Sequence, residues 1–115
     1  MLIACNVCFP TEINPLQTVV LYEGEDGAFT CSSSEPINVQ WLVNGSLLED
    51  LDLGSVTRIE TFSVGGTLIF LTIPLHYNGT LVQCEATFTN SEDMTQSNVA
   101  MLLVQGRSFN RVSLT

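Results

Sequence analysis

GAFTCSS at residues 27–33, INVQWLVN at residues 37–44 and LVQCEATF at residues 81–88 are the runs on which the reading of this chain turns. In each, apolar residues alternate with polar ones, the period of a strand with one face buried. Phe29 falls on the apolar side with Cys31, Val39 and Val43 with Trp41, and Val82 and Ala86 with Cys84. All three marker residues therefore point to one interior.

A Cys, a Trp ten residues later and a second Cys, each facing the core from its own strand, resemble the immunoglobulin superfamily over roughly residues 16–105. The resemblance implies an all-β fold, a Greek-key sandwich of two antiparallel sheets with about seven or eight strands. The Cys31 to Cys84 distance leaves too little chain for the extra strands of a variable domain, so an intermediate or constant-like form fits better. It also implies a Cys31–Cys84 disulfide between the sheets, packed on the Trp41 indole. Closing a loop of that length stabilises by about 4 kcal/mol. One family signature departs: where Asp-x-Gly-x-Tyr-x-Cys is usual, this chain has Asn78, Thr80 and Val82 before Cys84. The tyrosine corner is missing, and whether Tyr77 substitutes is left open.

The 115 residues suit one domain with a real core. Formal net charge is -9, and the only cations are Arg58, Arg107 and Arg111. No basic stripe can neutralise phosphates, so nucleic acid is excluded as a partner, and attachment to anionic lipid is disfavoured. No apolar run reaches the roughly 18 residues of a membrane span.

Residues 1–15 are read as an N-terminal segment, a signal remnant or an expression scar. Their Cys5 and Cys8 could instead form a local disulfide; a thioredoxin-like redox pair is disfavoured by Pro10 and the loop-like TEINP that follows. Strands are expected at residues 17–22, around Cys31, at 37–43, at 56–62 and 67–73 about a Gly65-Gly66 turn, around Cys84, and at 98–105. In the strand at 67–73, Ile69, Leu71 and Ile73 are expected to face inward. Residues 46–54 read as a short edge strand or a loop, their Glu49, Asp50 and Asp52 as a solvated acidic edge in preference to a calcium loop. Residues 89–97 link two strands, and 106–115 form a tail or linker.

Catalytic chemistry finds little to build on. The one histidine, His76, sits in a loop with no nucleophile elbow beside it, and no phosphate loop, HExxH or zinc spacing occurs. The chain reads as a binding module and not an enzyme, with no cofactor and no metal site. Asn44-Gly45-Ser46 and Asn78-Gly79-Thr80 are N-glycosylation acceptors, or serve only their Asn-Gly turns. In the sandwich they share the end at which the chain exits, which leaves bare the end made by residues 33–36 and 89–97.

If Ala100, Leu102 and Val104 face the core, Val99, Met101 and Leu103 face out, with Leu81 and Leu42 on the same sheet. These five would form an apolar association face. The competing reading is a bulge that shifts the last strand and buries them. The family resemblance implies an extracellular recognition module of an adhesion molecule or receptor, binding a protein partner, with a homodimer among the candidates. A structural spacer in a larger ectodomain is the alternative.

Overall fold

Two sheets face each other, and a disulfide from Cys31 to Cys84 joins them with a Cα separation of 6.4 Å. The computed structural model describes residues 13–91 and 93–106. The Cys5–Cys8 pair and the tail with Arg107 and Arg111 lie outside those residues. The strands are β1 (Val19–Tyr22), β2 (Gly27–Ser32), β3 (Ile37–Val43), β4 (Ser46–Leu47), β5 (Thr57–Phe62), β6 (Gly65–Phe70), β7 (Thr80–Phe88), β8 (Met94–Gln96) and β9 (Ala100–Gln105). One-turn 3-10 helices occupy Leu48–Asp50 and Leu75–Tyr77. The larger sheet has the order β1-β9-β7-β3-β4 with β8 beside β7, and the smaller the order β2-β6-β5.

The core follows from the alternation. Phe29, Cys31, Trp41, Val43, Val82, Cys84 and Ala86 are all buried. Trp41 and Cys84 are paired across β3 and β7, so the indole lies beside the bridge. Phe70 meets Phe29 edge to face at 6.1 Å, a favoured geometry that adds to the burial itself.

Two expectations about β6 fail together. Gly65 and Gly66 are not the hairpin turn: they open β6, paired with Phe62 and Thr61, and the turn is Ser63-Val64. Their role is close approach, since a Cβ on Gly65 would strike the backbone carbonyl of Cys31 in β2. The inward residues of β6 are Leu68 and Phe70, while Ile69 and Leu71 are only half-buried. Ile73 does reach the core because Thr72 adopts a left-handed φ of 47° and reverses the alternation. That conformation is costly for a β-branched residue. It is held by the Thr72 N–H donating to Asp26 Oδ1 at 2.7 Å and the Ile73 N–H donating to the Glu25 carbonyl at 3.0 Å.

The ends of the larger sheet differ too. β1 begins at Val19, later than expected, and runs parallel to β9, so the sheet is not wholly antiparallel. The expected linker at residues 89–97 contains β8, which extends the hairpin with β7. β8 and β9 are two halves of one strand path broken by a bulge: Glu85 faces Gln96 and Val82 faces Ala100. Ser97, Asn98 and Val99 thus span what Gln83 and Cys84 span opposite. Ser97 bridges the defect, its hydroxyl accepting from the Cys84 N–H at 2.9 Å and donating to the Asn98 carbonyl at 2.7 Å. The Asn98 amide accepts from the Leu16 N–H at 2.8 Å and donates to the Leu16 carbonyl at 3.0 Å, as a strand backbone would. This clasp brings residues 82 positions apart together. Leu16 is buried, Ile13 packs against the core, and the Asn14 N–H donates to the Ser32 carbonyl.

Candidate binding surface

The bulge exists, and it lies before the register it was expected to disturb. Ala100, Leu102 and Val104 are buried, whereas Val99 is 54% and Met101 38% exposed. Met101 stands opposite Leu81, 40% exposed on β7. Leu103 is half-buried two residues along β9 on the same face, and Leu42 is half-buried on β3, diagonal to Leu81 across Gln83. The parallel pairing adds residues the sequence did not single out. Val20 lies beside Leu103, and Tyr22 beside Gln105, both with their side chains largely in solvent. In VVLY both sides are apolar, so alternation alone could not say which side faced out. The outer face of the larger sheet thus carries a strip through Val20, Leu103, Met101 and Leu81, and the polar Gln83, Glu85 and Gln96 border it.

The acceptor asparagines bracket one end of this strip. Asn44 adopts a left-handed φ of 52°, tolerable for Asn before Gly45, and its Oδ1 accepts the Leu81 N–H at 2.9 Å. Asn78 Oδ1 accepts the Val104 N–H at 2.8 Å. Both side chains are exposed, and neither Nδ2 bonds to any described residue. Asn98, by contrast, uses both ends of its amide. The engaged oxygen fixes each amide and leaves the nitrogen that would carry sugar unbonded to the described residues.

Around Asn78 the loop is tied without a tyrosine corner. The Thr80 hydroxyl donates to the Tyr77 carbonyl at 2.6 Å, and the Tyr77 ring packs on Phe70 at 6.5 Å. Thr80 therefore makes the hydroxyl-to-backbone tie, and Tyr77 contributes packing. His76 is exposed and tilted against Tyr77 at 4.7 Å. It borders an open cleft of about 360 Å³ together with Asn44, Leu51, Asp52 and Thr80. Glu49 and Asp50 lie on the short helix after β4, and among the described residues no three acidic, histidine or cysteine groups converge as metal ligands do. At the other end the loops are joined by the Thr89 N–H donating to the Pro36 carbonyl at 3.2 Å. No helix among the described residues is long and apolar enough to cross a membrane.

The chain has the immunoglobulin fold. Solved structures that share it include the titin I-band fragment I67–I69, 20% identical over 87% of this chain and 34% of the fragment, TM-score 0.66. The N-terminal Ig1-2 module of the Drosophila receptor protein tyrosine phosphatase DLAR is 18% identical over 83% of this chain and 48% of the module, TM-score 0.67. A chain of the titin M10–obscurin-like 1 Ig complex is 16% identical over 84% of this chain and 95% of its own length, TM-score 0.66. This chain spans about a third of the titin fragment and about half of the DLAR module. No family model and no curated protein matches the chain.

Proposed function

We propose that the chain is a protein-recognition module of an extracellular adhesion molecule or receptor, and that it binds its partner through the outer face of the larger sheet. The observation that carries this is the strip of exposed Val20, Leu81 and Met101 joined by half-buried Leu103, because a contiguous apolar patch on an otherwise acidic domain is costly unless a partner covers it. The titin M10–obscurin-like 1 Ig complex is a precedent for such domains pairing with protein. The fold is compatible with any compartment. The extracellular reading rests on the disulfide, at home in oxidising surroundings, and on the exposed acceptor residues Asn44 and Asn78, whose engaged Oδ1 atoms leave Nδ2 for glycan attachment.

The domain secreted from animal cells behind a signal sequence should lose mass on treatment with an N-glycan amidase, and should not once Asn44→Gln and Asn78→Gln are combined. An untreated mass equal to that of the bare chain would sink the glycan reading. A fluorescent tetramer of the same domain should stain partner-bearing cells, and Met101→Glu should abolish the staining while leaving the melting temperature in place. A second reading, a spacer in a tandem array, is favoured by the multi-domain titin and DLAR structures of which the chain spans a part. Staining that survives Met101→Glu and Leu81→Glu alike would remove the contact face and leave the spacer.

A further inference from the structure

β5 is the outer strand of the smaller sheet, with no strand of the described residues paired to its other edge; residues 48–54 border that edge across a cleft at Thr57 and Ile59. The Leu71 N–H donates to the Val56 carbonyl at 2.8 Å, which sets the alternation of the β5–β6 ladder. Arg58, Glu60 and Phe62 exchange hydrogen bonds with β6, and Thr57, Ile59 and Thr61 turn their backbone N–H and C=O groups the other way. No strand among the described residues lies on that side, and residues 58–62 are all exposed. Arg58 is the one Arg or Lys among the described residues of this acidic chain. It stands 3.6 Å from Glu60 on the same face of the strand, with the two side chains 59% and 60% exposed.

We propose that β5 pairs with β5 of a second copy, antiparallel, with Ile59 on the two-fold axis. In that register the outward backbone groups of Thr57, Ile59 and Thr61 meet those of Thr61, Ile59 and Thr57 in the second copy, and the two three-stranded sheets become one. Arg58 then stands opposite the second copy's Glu60, and Glu60 opposite its Arg58. Val56 and the exposed Phe62 meet at either end of the ladder. The strand is its own complement, in shape and in charge. Sliding it two residues one way sets Glu60 against Glu60 and Arg58 against Phe62; the other way sets Arg58 against Arg58 and Glu60 against Val56. Both lose the charge pairs.

Charges on an edge strand commonly guard against pairing. A guard works when like charges meet on self-association, and here opposite charges meet. The contact lies on the sheet opposite the face proposed for the partner, so either can stand without the other.

The test is sedimentation of the oxidised full chain over a concentration series. A reversible dimer is expected, weakened at least about tenfold by Arg58→Glu and by Glu60→Arg separately, because each reversal sets like charges opposite each other twice across the axis. An equimolar mixture of the two variants is expected to dimerise again, each supplying the charge the other lacks although both remain net acidic. Unchanged melting temperatures establish that the variants are folded. A chain that stays monomeric to millimolar concentration overturns the proposal, as does a dimer indifferent to both reversals, a mixture that stays monomeric, or a dimer abolished by Met101→Glu but not by Arg58→Glu.

Discussion

Replacing Asn98 by Ala removes the clasp that ties Leu16 to the bulged strand. The side-chain amide makes two hydrogen bonds, one accepted from the Leu16 N–H and one donated to the Leu16 carbonyl. At about 1 kcal/mol net per bond the loss is about 2 kcal/mol, and it rises toward about 3 kcal/mol if the part-buried Leu16 N–H finds no water in exchange. Leu16 is itself 5% exposed and belongs to the core, so its backbone cannot turn to solvent without pulling that side chain out. Urea titration followed by Trp41 fluorescence measures the effect, and the slope should stay that of the parent chain if only stability changes. For a domain of about this size, 2 kcal/mol corresponds to a fall in melting temperature of about 8–16 °C. Asn98→Asp keeps the acceptor but sets a carboxylate oxygen against the Leu16 carbonyl, and should cost at least as much at neutral pH. A loss below about 0.5 kcal/mol for Asn98→Ala would refute the reasoning, because the clasp would then contribute no more than exposed surface bonds do.

Neighbouring positions on β9 should respond in opposite ways. Leu102→Ala, at a side chain with no exposed surface, should cost about 2–5 kcal/mol, while Met101→Gln should stay within about 0.5 kcal/mol of the parent; denaturant midpoints for the two decide the register directly. Gly65→Ala should cost about 3 kcal/mol or more, because its Cβ meets the Cys31 backbone and no flexible side chain can yield. A near-neutral Gly65→Ala, read from thermal melts, would show that β2 and β6 lie further apart than the structure has them.

Much of the architecture was legible because burial repeats with the period of the strand. Phe29, Cys31, Trp41 and Cys84 declare one interior through alternation, and so does Ala100-Leu102-Val104. What alternation cannot show is where it breaks. Thr72 inverts the count by a single left-handed residue whose support comes from Asp26, 46 positions away, so counting by twos back from Ile73 points to Ile69 and Leu71 where the core holds Leu68 and Phe70. A Gly-Gly pair between two strand patterns signals a turn, but Gly65-Gly66 serves clearance, which depends on a strand far away in sequence. β8 is short and largely polar, and carries no burial signal. At the candidate surface, Leu81, Val99 and Met101 could be read from the sequence, but Val20 and Tyr22 join them only through a parallel pairing that no local pattern encodes.

That pairing also sets how the domain would respond to a pull on its two ends. β1 and β9 run side by side in the same direction from Val19↔Leu102 to Tyr22↔Gln105, so tension along the chain draws the two strands past each other lengthwise. Their hydrogen bonds are then stressed together and cannot be peeled one by one, and the Asn98–Leu16 clasp lies ahead of them as the first link to take strain. Joined end to end with similar domains, this one would behave as a stiff coupling that yields abruptly.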